Sequence, residues 1–269
     1  MKIFPIAFDM WNAWYTDGKV ALEDLSVDLM GKENLYVVLE GDGTAEIGVV
    51  KGDWLLKAKY YSPTNLKSRN LEQQAALSLL GDKNVPLKIL SGAAGSGKTL
   101  MASAHAIHKL EKGLCSKIII AKSLTPIGQD IGFLKGSMEE KVMPWIGPFK
   151  DAFIHCGIPP YKMEEMIDKG ELEITPLTFI QGRSISDAVM IIDEVQNIPM
   201  DITKQIITRA SIGTEILLLG DPTQVFARNI RGSTLDTLIA KAEYSELVGS
   251  VTLTKSVRSP LAQWAVENL

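Results

Sequence analysis

The chain lacks most of what would place it outside the cell interior. Cys115 and Cys156 are the sole cysteines among 269 residues, so there is no disulfide framework, and the composition suits a reducing compartment. No run of 18 apolar residues occurs, and Asp9 interrupts the apolar N-terminus before a signal core could form. A cytoplasmic protein with no membrane span is therefore expected. An excess of one charge sign is missing as well: 28 basic against 32 acidic residues leave a formal net charge of −4. The first 70 residues carry 8 basic and 10 acidic groups and the remainder 20 and 22, so neither part offers a broad basic footprint for nucleic acid. Any such contact must use a local patch, for which Lys122, Lys135, Lys141 and Lys150 are candidates beside the plainer reading of solvated lysines.

What is present is sharper. Gly92-Ala93-Ala94-Gly95-Ser96-Gly97-Lys98-Thr99 fits the phosphate-loop pattern, between a run from Leu87 to Leu90 that reads as a strand and a segment from Lys98 to about Lys112 that reads as a helix. Glycines let backbone N–H groups close around phosphate oxygens, and the helix N-terminus adds its dipole to the anion site. Lys98 is positioned to reach the β- and γ-phosphates and Thr99 to ligate Mg²⁺, so ATP with Mg²⁺ is the expected ligand.

A second motif selects the chemistry. Ala188 to Ile192 is a continuous apolar run of the kind buried on both sheet faces, and it ends in Asp193-Glu194. An Asp at that strand end holds the metal shell, and the adjacent Glu can polarise an attacking water, which favours hydrolysis over transfer. A third strand, Glu215 to Leu219, runs into Gly220-Asp221-Pro222-Thr223-Gln224. That pentad resembles motif III of superfamily 1 helicases, in which the Gln reports the γ-phosphate. A side-chain amide there can donate to a phosphate oxygen and accept from water.

Together these motifs resemble the PhoH family of ATPases, over about Asn70 to Leu269. Asn70-Leu71-Glu72-Gln73, the segment Lys122 to Phe153 with Ile131-Gly132-Phe133-Leu134-Lys135-Gly136, Gly182-Arg183-Ser184, Asp193-Glu194-Val195-Gln196-Asn197, Thr208-Arg209 and Gly220 to Gln224 carry the likeness. The resemblance implies that Gln73 pairs with the adenine edge and that Asp221 belongs to the nucleotide site. It also implies a hexameric ring and work on RNA or single-stranded DNA. Lys122 departs from the family's common Arg. The chain ends soon after Val257-Arg258-Ser259 with no second RecA-like domain, so an arginine finger is expected from a neighbouring subunit, with Arg258 leading and Arg209, Arg228 and Arg231 behind it.

The first 65 residues differ in texture. Leu35 to Glu40, Ala45 to Val50 and Trp54 to Tyr60 read as a short meander with an Asp-Gly turn, and Ser62-Pro63-Thr64-Asn65 as a boundary, giving a β module at 1–65 and an ATPase domain at 66–269. Larger members of the resembled family can carry a nuclease domain upstream. Here Asp9, Asp17, Glu23, Asp24 and Asp28 precede the meander without room for that fold, so no nuclease is expected. Trp11, Trp14 and Tyr15 read as packing residues rather than base-stacking ones. His105 and His108, although spaced like metal ligands, read as one face of an amphipathic helix, and Met163 and Met166 as the buried face of a short one.

The predicted fold is α/β: a RecA-like parallel sheet with helices on both faces and strands near 87–91, 117–122, 171–177, 188–193, 215–220 and 249–254. Two functions fit: ATP turnover coupled to RNA or single-stranded nucleic-acid remodelling, and a regulatory or assembly ATPase acting on protein partners.

Overall fold

A computed structural model describes residues 2–5, 8–25, 27–41, 43–122, 147–180, 182–224 and 234–255. Six strands form the main sheet: β6 (Leu87–Gly92), β7 (Lys117–Lys122), β8 (Leu172–Pro176), β9 (Ala188–Asp193), β10 (Glu215–Gly220) and β11 (Val248–Leu253). They pair in the order β11-β6-β10-β9-β7-β8, and every pairing is parallel. A parallel sheet must be covered on both sides because its crossovers carry helices, which is why these strands read as nearly unbroken apolar runs.

Alternate residues of each strand feed two cores. One face packs Leu90, Leu217, Leu219 and Ile191 with helices α2 (Leu71–Gly81), α3 (Lys98–Glu111), α4 (Gly147–His155) and α5 (Pro160–Asp168). Met163 and Met166 lie on the buried face of α5, each 5% exposed. The other face packs Ile89, Met190, Ile192 and Leu218 with α6 (Met200–Ile207) and α7 (Thr234–Ala242). Strand β10 runs between β6 and β9, so the loop after it emerges between the phosphate-loop segment and the acidic strand end. Chain direction in sheet order reverses around β6, and ligands of open α/β sheets bind outside the carboxyl ends of strands at such a switch point.

The N-terminal sheet is larger than a three-strand meander. To β3 (Tyr36–Gly41), β4 (Thr44–Lys51) and β5 (Trp54–Lys57) it adds β1 (Lys2–Pro5), parallel to β3, and β2 (Lys19–Ala21) on the far edge. Helix α1 (Phe8–Asp17) packs Trp11 and Trp14 into a core with Val37, Leu39, Val50 and Leu55. Trp14 is fully buried and Trp11 nearly so, while Tyr15 stacks on Trp11 and stays exposed. Short, partly polar strands give little periodicity, which is why β1 and β2 escaped sequence reading.

The opposite face of the hairpin, Tyr36, Ile47 and Val49, joins the main core beside α2. Asn34 adds a polar seam: in a left-handed backbone conformation, it donates from its amide to the carbonyls of Ser245, Glu246 and Val248. Lys32 pairs with Glu243 at 2.8 Å and Lys51 with Asp82 at 2.7 Å across the same junction.

Candidate nucleotide site

The loop between β6 and α3 bends through glycine geometry. Gly97 has φ 96°, a left-handed backbone that favours glycine, and a Cβ there would lie a tight 3.1 Å from Gln73 Nε2. Behind the loop, Gln73 is buried. Its Nε2 donates to the Ser96 carbonyl at 2.9 Å and its Oε1 accepts from the Arg69 N–H at 2.9 Å. Through these two bonds Gln73 braces the loop. The amide carries a second N–H besides the one given to Ser96, and Gln73 lines a cavity beside the loop. Neighbouring Glu72 accepts from Thr254 N–H and Oγ1 and from Lys255 N–H, tying the end of β11 to the same helix start.

Around the loop lies a pocket of about 430 Å³. Ala94, Gly95, Gly97, Lys98, Thr99, Lys122, Asp193, Glu194, Asp221 and Gln224 all line it. The other phosphate-loop residues stand behind its surface. Ser96 is 1% exposed, Gly92 abuts β11, and the carbonyls of Gly92 and Ala93 accept from Lys98 Nζ. Arg258, Arg228, Arg231, Lys135 and Lys141 lie outside the described residues. Arg209 is described, but its Nε donates to the Gln205 carbonyl and it does not line the pocket. Lys150 is exposed on α4.

At the end of β9 the two acids are held differently. Asp193 is nearly buried, and its Oδ1 accepts from the Glu194 N–H at 3.0 Å. Burial pushes its carboxyl above the ordinary range; Lys122, whose Nζ stands 3.9 Å away, only partly opposes this, and Glu194 adds to it. Such an under-compensated carboxylate lining the same pocket as the Thr99 hydroxyl suits a divalent cation, so the residues present fit Mg²⁺. Glu194 adopts φ 60° and ψ 37°, a left-handed conformation that a non-glycine residue holds only when its surroundings enforce it. That bend turns its side chain to the pocket, where it is 38% exposed.

Gln196 is the residue that sequence reading missed. Fully buried, it donates from Nε2 to Glu194 Oε2 at 2.7 Å and to the Gln224 carbonyl at 3.3 Å, and its Oε1 accepts from the Asp221 N–H at 3.1 Å. A Cβ on Gly220 would lie 2.7 Å from that same Oε1, so the loop after β10 closes onto Gln196 only because Gly220 has no side chain. Asp221 in turn accepts from Thr223 N–H and Oγ1 and from Gln224 Nε2. The acidic strand end and the loop after β10 thus form one connected polar network, and only spacing within Asp193-Glu194-Val195-Gln196 hinted at it.

Along the first turn of α3 a second cavity, of about 470 Å³, adjoins the first and is lined by Asn65, Arg69, Gln73, Leu77, Met101 and Cys156 among others. Its size and position suit the base end of a nucleotide whose phosphates lie on the loop.

A parallel sheet with a phosphate loop after one strand, an Asp-Glu pair after another and a third loop on the strand between them is the build of a P-loop nucleotide-binding protein. The family model described as PhoH-like protein matches residues 65–269, and the chain belongs to that family. It is 30% identical over its whole length to Protein PhoH2 of Bacillus subtilis, covering 63% of that protein. Protein PhoH2 of Mycolicibacterium smegmatis is 34% identical over 76% of the chain, which spans 47% of that relative. The chain thus spans between about half and two-thirds of these relatives. Among solved structures it is similar to the large terminase of a thermophilic bacteriophage, at a TM-score of 0.47 and 16% identity over 75% of this chain and 50% of that one. Among the described residues no helix is long and apolar enough to cross a membrane.

Proposed function

We propose that this protein is a Mg²⁺-dependent ATPase that couples turnover to remodelling of RNA or single-stranded DNA, working in the cytoplasm as a homo-oligomeric ring, with six subunits the favoured number. The observation that carries the reading is the Gln196 network, which joins the water-activating candidate Glu194 to the loop of Asp221 and Gln224 at a single pocket.

In this scheme the loop N–H groups and Lys98 cradle the phosphates, with Lys98 leaving the Gly92 and Ala93 carbonyls to which it donates. Thr99 and Asp193 would hold Mg²⁺, which when bound neutralises phosphate charge. Glu194 accepts the proton of the attacking water, oriented by Gln196 and by its own backbone bend. Gln224 shifts between Asp221 and the γ-phosphate, and so reports whether that phosphate is present.

Among the described residues the pocket is lined by two lysines and no arginine. Charge developing on the transferred phosphoryl group calls for a further cation, and an arginine supplied in trans typically contributes on the order of 10³-fold or more. Arg258 is the leading candidate, and supply in trans makes a ring the natural assembly.

The test is an ATPase assay on protein of measured mass, with and without RNA or single-stranded DNA. Turnover that rises with protein concentration and with nucleic acid supports the reading. Turnover indifferent to nucleic acid would replace it with an ATPase acting on protein partners.

A further inference from the structure

Resting on the nucleotide reading above, we infer that α4 carries a sugar-recognition element: His155, assisted by Asp151, hydrogen-bonds the ribose hydroxyls of the bound nucleotide, so that the site selects ribonucleotides over deoxyribonucleotides. Two cavities meet along the first turn of α3, and Gly97, Leu100 and His155 line both. A nucleotide with its phosphates on the loop and its base in the second cavity must pass its sugar through that junction. Gly97 brings no side chain and Leu100 only hydrocarbon. His155 is thus the one side chain at the junction, among the described residues, that can hydrogen-bond a hydroxyl.

The chemistry of the pair matches a sugar. A neutral imidazole has one donor and one acceptor nitrogen, as a hydroxyl pair requires, whereas a phosphate would use only donors. Asp151, one helical turn before His155, also lines the phosphate-side cavity. A carboxylate beside a triphosphate is repelled by it, yet as an acceptor it suits a sugar hydroxyl, the arrangement by which an acidic side chain reads ribose in dinucleotide folds.

Packing leaves both groups available. Helix α4 is anchored by Phe149, Ala152 and Phe153, which are 1%, 6% and 0% exposed, whereas Asp151 and His155 are exposed. Substituting either should therefore leave the helix seated, since surface changes away from core features cost little.

Binding of ATP, 2′-deoxy-ATP and 3′-deoxy-ATP to the full chain with Mg²⁺, measured by calorimetry, tests the assignment. The wild type is expected to favour ATP over at least one deoxy analogue by about tenfold, the size of a hydrogen bond or two at an accessible site. His155→Ala should erase that preference by weakening ATP alone, raising KM without lowering kcat. His155→Gln should restore part of it, and Asp151→Asn should reduce it less. Equal affinity of the wild type for all three, or a uniform loss with His155→Ala, overturns the assignment while leaving the ATPase reading intact. A folded wild type that binds none of the three overturns the nucleotide reading itself.

Discussion

Two clusters of charged side chains occupy opposite ends of the same sheet and use the same residue types to opposite effect. At the amino ends of the strands, Glu215 of β10 accepts from Lys88 of β6 at 2.5 Å, from His105 at 2.6 Å and from Lys109 at 2.8 Å, and Tyr61 closes the set on His105 at 2.8 Å. Lys88 is completely buried. Burial opposes the charge on Glu215, but His105, Lys88 and Lys109 together outweigh it and hold the carboxyl well below its ordinary value. At the carboxyl ends, Asp193 has one lysine at 3.9 Å and burial drives its carboxyl upward instead. A saturated cluster is a structural fixture; an unsaturated one is a place for a ligand. His105 shows the difference plainly, since its metal-like spacing with His108 ends in a buried bond to Glu215.

If the two ends differ in this way, their substitutions should fail differently. The largest effect falls on Lys98→Ala, which is expected to abolish tight ATP binding and turnover while circular dichroism and melting stay near wild type. Retained hydrolysis in that variant would sink the assignment of the loop. Next in size, Glu194→Gln should keep ATP bound and slow hydrolysis by roughly 10² to 10⁴-fold, the usual cost of losing a general base. Loss of binding as severe as that of Lys98→Ala would make Glu194 structural, and the comparison would collapse.

The opposite end should respond in stability. Glu215→Ala leaves a lysine buried without its counter-ion and is expected to destabilise the fold by about 3–5 kcal/mol in denaturant titration, with the folded fraction still binding nucleotide. The pH dependence follows from the direction of its shift. A carboxyl held below its ordinary value of 4.5 contributes stability above that pH and loses it as the pH falls further, so acid melting of the wild type should steepen there and be blunted in the variant. An acid limb unchanged by Glu215→Ala would show that the cluster does not govern it.

The smallest effect separates positioning from chemistry. Gln196→Ala removes the bridge between Glu194 and the loop of Asp221, and turnover should fall about tenfold with ATP affinity nearly unchanged, in line with one or two lost hydrogen bonds of about 1 kcal/mol each. Equal loss in affinity would assign Gln196 to the loop's architecture instead.

Sequence by itself determined the sheet and its main motifs. Six strands fall within a residue or two of their expected bounds, because buried parallel strands demand continuous apolar runs, and β6, β8, β9 and β10 each end at a Gly, Pro or Asp. Tertiary structure decided the rest. Lys88 sits inside a run that reads as apolar, and nothing local says that Glu215, 127 residues away, will neutralise it. The face of the N-terminal hairpin that joins the main core is likewise set by a partner surface far along the chain. That Gln73 braces the Ser96 carbonyl, and that Gln196 joins Glu194 to the loop of Asp221, depends on segments far apart in the chain. Local pattern encodes which residues are buried or bent; whether a polar group is satisfied or left for a ligand depends on partners that only folding brings within about 3 Å.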